Sequence, residues 1–300
     1  MIQRFAGHFI SSALFVTLAL VCSAVGVGAE PVIRPLPTSA ITRALPSPKV
    51  RAEAAIVYDT VTNQVLWESH AQEPRSIASI TKVMTALVYL EQQTELTRDA
   101  VIARSDVLRA STTYLRAGER VTVGELLHLA LIASDNAAAR ALARVSRWGS
   151  SEFVRQMNIK AAELGLGSTR FADPSGLDEA NVSSAYDLSR LIAHAVRNPR
   201  IASIMQKRQY RVYTSRRRVT IRNTNRLLEG NVAIRGGKTG YINEAGYCLA
   251  ALVELPQNHP VAVVVLGARS NAGRFAEVRR LVNWISTTGR TLLTPARADD

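Results

Sequence analysis

Strand-like runs stand near both ends of the chain and helical ones lie between them, which restricts the fold more than any other feature. Ala54-Ala55-Ile56-Val57-Tyr58 and Gln64-Val65-Leu66-Trp67 flank Asp59 to Asn63 and predict a β-hairpin. After Gly236-Gly237 come three more strand-like runs, Lys238 to Tyr241, Gly246 to Glu254 and Pro260 to Ala268. Gln209 to Ile221 alternates and also reads as strands. Ile77 to Gln92 has Ile80, Val83, Met84, Leu87 and Leu90 at the spacing of a mostly buried helix. From about Thr97 to Arg197 the periodicity is helical, with breaks at Gly118, Gly149, Gly165 and Gly176, and Ala272 to Ile285 predicts a closing amphipathic helix. Such an order implies an α+β fold, with one sheet built from distant segments, flanked by helices, and a mostly helical lobe.

The first segment reads as an address. Arg4 and His8 precede an apolar stretch from Phe9 to Ala29, and Val27-Gly28-Ala29 is a small-residue cleavage signature. Residues 1–29 are expected to be a secretory signal peptide, with an uncleaved membrane anchor as the alternative. The chain is then expected to be secreted or periplasmic. Cleavage removes Cys22 and leaves Cys248 as the sole thiol, so no internal disulfide can form. Residues 30–50 contain Pro31, Pro35, Pro37, Pro46 and Pro48 and predict an extended linker. The folded body is expected to span 51–290, with 291–300 as a tail.

Three short motifs carry chemistry. In Ser79-Ile80-Thr81-Lys82, a hydroxyl and an amine share one helix face. A neutral amine there can take the hydroxyl proton and create a nucleophile. Of 37 cations only five are Lys, so Lys82 stands out in a chain that otherwise uses Arg. Arg cannot be deprotonated at a useful pH, whereas a desolvated Lys can. In Ser134-Asp135-Asn136, the Ser can relay a proton and the Asn amide can hold an amine and a carbonyl, although all three residue types also favour a helix cap. In Lys238-Thr239-Gly240, the Lys and the hydroxyl can bind a carboxylate, and Gly240 lets a ligand lie against the strand. A phosphate-binding loop would need Gly five residues before Gly237, where Val232 stands.

In this order the motifs resemble the penicillin-binding protein and serine β-lactamase superfamily. Ile77 to Ala86, Asp173-Pro174-Ser175-Gly176-Leu177 and Asn223-Thr224-Asn225-Arg226-Leu227-Leu228 are similar to segments of the D-alanyl-D-alanine carboxypeptidases, with Lys238 to Cys248 most like the endopeptidase branch. The resemblance implies a β-lactamase/transpeptidase-like fold and a serine DD-peptidase. Ser79 would be the nucleophile and Lys82 its base, with Lys238 helping to keep that amine neutral. Ser134 would pass a proton to the leaving amine, and Asn136 would position Lys82 and the carbonyl. Lys238 and Thr239 would hold a carboxylate, and the N–H groups of Ser79 and Tyr241 would form an oxyanion hole. The substrate would be peptidoglycan peptide, with β-lactams as covalent inhibitors.

A class A β-lactamase needs a deacylating Glu, for which Asp178, Glu179 and Asn181 have the wrong spacing, so slow β-lactam turnover is expected. A catalytically silent penicillin-binding module is the other alternative. The five His form no ligand spacing, His128 and His194 are expected in the core, and neither metal nor organic cofactor is expected. Lys207, Arg208, Arg211, Arg216, Arg217, Arg218 and Arg222 read as the solvated face of a hairpin, with contact to an anionic wall or membrane surface as the alternative and no nucleic-acid role. The net charge of +13 favours an anionic partner.

Overall fold

A computed structural model describes residues 47–92, 95–287 and 289–293. The proposed signal peptide and most of the Pro-rich segment lie outside the described residues. Within 47–50, Ser47 Oγ accepts from Trp67 Nε1 at 3.0 Å and the Lys49 carbonyl accepts from Arg280 at 2.8 Å.

In chain order the first elements are strands β1 (Ala54–Asp59), β2 (Gln64–Ser69) and β3 (Arg75–Ser76), a 3-10 turn Ala78–Thr81, and helix α1 (Lys82–Glu91). The helical lobe follows: β4 (Asp99–Val101), α2 (Arg104–Val107), β5 (Arg120–Thr122), α3 (Val123–Ile132), α4 (Asn136–Val145), α5 (Gly149–Glu163), β6 (Val182–Ser183), α6 (Ala185–Val196) and α7 (Pro199–Met205). The chain then forms β7 (Gln209–Tyr213), β8 (Arg218–Arg222), β9 (Ile234–Ile242), β10 (Gly246–Leu255), β11 (His259–Ala268) and α8 (Asn271–Thr287).

Five strands make one antiparallel sheet in the order β2-β1-β11-β10-β9, so strands about 200 residues apart in sequence meet at the β1–β11 pairing, Ala54 opposite Leu266 and Asp59 opposite Val261. Both faces of this sheet are covered. On β11, Val261, Val263 and Val265 pack with Phe275, Val278 and Leu281 of α8, while Ala262, Val264 and Leu266 face the helical lobe. Burial on both sides explains why these strands read as unbroken apolar runs. Each fully buried Val or Leu contributes about 1.5–3 kcal/mol.

Two local readings change. The start of the helical stretch is not helical: residues 99–122 hold β4, the one-turn α2 and β5. Two buried carboxylates tie this segment to its neighbours. Asp106 meets Arg144 at 2.6 Å and Glu119 meets Arg217 at 3.0 Å. His128 and His194 are half-buried rather than core, and His128 stacks on Tyr210 with centroids 3.9 Å apart. Cys248 is fully buried, as expected of a small apolar side chain.

Candidate active site

The Ser79–Lys82 pair straddles the join between the 3-10 turn and α1. The tighter turn still brings the side chains together, with Lys82 Nζ 2.9 Å from Ser79 Oγ. Two further oxygens surround the amine: Asn136 Oδ1 at 2.6 Å and the Ser175 carbonyl at 2.5 Å. Asn136 cannot reverse its amide freely, because its Nδ2 donates to the Ala110 carbonyl at 2.7 Å. Both oxygens therefore only accept. A neutral amine has two N–H bonds and one lone pair, so its donors go to Asn136 and Ser175 and its lone pair faces the Ser79 hydroxyl.

Lys82 is fully buried, and burial is the first reason that its pKa falls to about 7, with Arg140 adding to the fall and Asp173 and Asp135 opposing it. Desolvation, and not the other lysine, thus does most to neutralise the amine. Lys238 is likewise lowered well below its ordinary value by burial, then by Lys82 and Arg274. Its Nζ donates to Ser134 Oγ at 2.8 Å and to its neighbour's carbonyl on Thr239 at 2.9 Å.

The second motif is both a cap and a site. Asp135 caps α4 by accepting from Ala138 N at 2.9 Å, and its other oxygen accepts from Thr113 Oγ1 at 3.0 Å and Tyr114 N at 2.6 Å. Ser134 sits just before it with φ +61, a strained value for a residue with a Cβ, and presents its hydroxyl to Lys238.

The third motif lies on β9, the edge strand of the sheet. Gly240 also admits a close approach of the chain to itself. A Cβ there would lie 2.6 Å from the Ile77 carbonyl and 3.2 Å from Ser79 N, so the chain's own backbone fills the space beside it. Thr239 Oγ1 donates to Thr224 Oγ1 at 2.7 Å. Tyr241 is 48% exposed and stacks on Tyr247, ring centroids 4.3 Å apart.

These residues line one cleft of about 520 Å³, with Ser79, Ser134, Asn136, Thr239, Gly240 and Tyr241 on its walls. Three contributors carry no assigned role in the sequence reading: the Ser175 carbonyl, Thr224 and Arg274. Arg274 could have been found, since it shares the apolar face of α8 with Val278, Leu281 and Ile285, an odd place for a cation. It donates to the Gly240 carbonyl at 2.9 Å, its Nε has no hydrogen-bond partner among the described residues, and burial lowers its pKa to about 10. The Ser175 carbonyl is a main-chain group that no side-chain pattern announces. The loop that carries it is gathered by Asp173, which accepts from Gly176 N at 2.8 Å and from Asn181 Nδ2 at 2.6 Å. Among the described residues no three His, Cys, Asp or Glu side chains converge as a metal site would require.

A buried amine against a serine hydroxyl, at the edge of an antiparallel sheet that carries a second lysine, defines a serine acyl-transfer enzyme with the penicillin-binding fold. The sequence profile of the D-alanyl-D-alanine carboxypeptidases, Peptidase_S11, matches residues 41–270, and the chain belongs to that family of serine hydrolases. It is 36% identical over 266 residues to the D-alanyl-D-alanine endopeptidase of Escherichia coli, covering 87% of this chain and 85% of that one. It is 33% identical over 242 residues to the D-alanyl-D-alanine carboxypeptidase DacF of Bacillus subtilis, covering 78% of this chain and 61% of that one. The crystal structure of the Streptomyces K15 DD-transpeptidase matches with a TM-score of 0.75 at 29% identity, over 82% of this chain and 99% of that one.

Proposed function

We propose that the protein is a DD-peptidase of peptidoglycan, acting outside the cytoplasm as carboxypeptidase, endopeptidase or both through an acyl-enzyme on Ser79. The three contacts of the Lys82 amine carry this reading. Lys82 takes the Ser79 proton while Oγ bonds to the carbonyl carbon of a D-alanyl residue. Backbone N–H groups of Ser79 and Tyr241 receive the oxyanion, each such donor being worth about 3 kcal/mol. As the C–N bond breaks, Ser134 gives its hydroxyl proton to the departing amine and takes up in its place the proton that Lys82 removed from Ser79, which leaves Lys82 neutral again. Water then attacks the ester and returns its proton through Lys82 to Ser79 Oγ.

The Lys238 amine, the Thr239 hydroxyl and the buried guanidinium of Arg274 make this end of the cleft rich in N–H and O–H groups, suited to the carboxylate next to the scissile bond. A terminal D-Ala-D-Ala has that carboxylate, and so does a cross-link through the D-centre of diaminopimelate. β-Lactams should acylate Ser79 and leave slowly. Asp178 and Glu179 are exposed, and Asn181 is committed to Asp173 and Ala172, so none is available to activate a deacylating water.

Incubation with monomeric and cross-linked muropeptides, read by mass, tests the reading. Loss of terminal D-Ala marks a carboxypeptidase and conversion of dimers to monomers an endopeptidase. Activity that survives in Ser79→Ala would refute the nucleophile.

A further inference from the structure

The outer face of the β7–β8 hairpin is explained by neither the catalytic cleft nor the core. The hairpin's inner face buries Val212 and Ile221. Its outer face carries Arg211, Tyr213, Arg218, Thr220 and Arg222, with Arg211 opposite Thr220 and Tyr213 opposite Arg218. Three cations on one small face repel one another. None of the ion pairs among the described residues involves Arg211, Arg218 or Arg222. The neighbouring segment adds to the imbalance. Arg120 shares two hydrogen bonds with Ser215 at the hairpin tip, while nearby Asp106 and Glu119 are buried against Arg144 and Arg217. The acids are thus turned inward and the cations outward.

The hairpin also leads into the catalytic cleft. Thr224, bonded to Thr239 in the cleft wall, is two residues past Arg222, at most about 7 Å of chain. We propose that the outer face of β7–β8 is an exosite for the polymeric substrate, gripping carboxylates of stem peptides along the same wall strand whose peptide occupies the cleft. The proposal rests on the DD-peptidase reading and names the form of substrate the enzyme works on. A lipid surface fits the face less well, because interfacial binding needs buried apolar area and Tyr213 is the one large apolar side chain exposed there.

The test compares insoluble peptidoglycan with a soluble D-alanyl-D-alanine tripeptide, using wild type and the triple variant Arg211→Glu, Arg218→Glu, Arg222→Glu. Turnover of peptidoglycan should fall at least about tenfold in the variant, and in wild type as NaCl rises from ~50 mM to ~500 mM. Tripeptide turnover and penicillin acylation should stay within about twofold, which also shows that the variant folds. Lys at all three positions should retain most of the peptidoglycan activity. Equal peptidoglycan turnover by wild type and the Glu variant would overturn the exosite, as would binding to anionic phosphatidylglycerol vesicles but not to peptidoglycan. Failure of wild type to cleave both the tripeptide and soluble cross-linked muropeptide dimers would instead sink the DD-peptidase reading.

Discussion

Lys82 Nζ lies 2.9 Å from Ser79 Oγ, and its other two hydrogen-bonding positions are taken by oxygens that can only accept. The geometry selects the uncharged amine as the form that can receive the serine proton. A guanidinium has no such form. Lys82→Arg is therefore expected to fold yet lose about 10²–10⁴-fold in the rate of acylation by a labelled penicillin. Acylation at the wild-type rate would show that the base lies elsewhere.

The pH dependence follows from the same amine. With a pKa of about 7, Lys82 in the proposed mechanism is a competent base above that value and a protonated bystander below it. Acylation should rise through pH 7 to a plateau and lose about tenfold per unit below it. Stability carries the same signature. The unfolded chain holds this proton up to 10.5, so between about 7 and 10.5 it binds more protons than the folded chain. The contribution of Lys82 to stability thus rises with pH across that window, and urea midpoints at two pH values inside it would reveal the trend.

Asn136→Asp separates charge from shape. It places a carboxylate 2.6 Å from the amine, favouring the charged form, and faces an acceptor toward the Ala110 carbonyl. The acidic limb of the acylation profile should move up by about 1–3 pH units, with activity partly recovered at high pH. An unmoved limb would mean that Asn136 does not set the state of Lys82.

Gly176→Ala tests the loop behind the nucleophile. Gly176 has φ +80, and a Cβ there would fall 2.0 Å from the Ala78 carbonyl, a contact that forces the backbone beside Ser79 to move. The substitution should cost more than the roughly 1 kcal/mol of an ordinary point change and slow acylation as well. Thermal denaturation and a penicillin-binding assay read the two effects separately.

Asp135→Ala removes a cap and two tethers in one step, leaving Ala138 N, Tyr114 N and the Thr113 hydroxyl without their acceptor. Of these Ala138 N is fully buried, and a buried donor so stranded costs about 1–3 kcal/mol, with the two part-buried contacts adding to the loss. Urea denaturation should show a loss of at least about 2 kcal/mol.

The sequence made the site legible where chemistry and spacing are local. Ser79 and Lys82 sit one turn apart, and Ser134 and Asn136 flank a cap. The sheet was legible because the three apolar runs of β1, β10 and β11 had nowhere else to pack. What escaped was set by long-range contact. Arg274 reaches the cleft from the last helix, Thr224 from the end of a hairpin, and the Ser175 carbonyl from a loop 93 residues beyond Lys82. Gly240 lies on the cleft wall, and its lack of a side chain also admits the Ile77–Ser79 backbone, a long-range contact that its sequence position does not announce. Residues 99–122 misled because isolated apolar positions mimic helical spacing, while the buried pairings of Asp106 and Glu119 that fix the segment lie far apart in sequence.

The oxygen that Ser175 lends to Lys82 belongs to the main chain, so no truncation of a side chain deletes it directly. Replacing the Ser175 hydroxyl leaves the carbonyl in place. Only changes that re-route the loop, at Asp173 or Gly176, can withdraw it. Part of the base's environment is therefore encoded as a path of the chain and not as a residue, and variants that silence this enzyme can arise at positions whose side chains never meet the substrate.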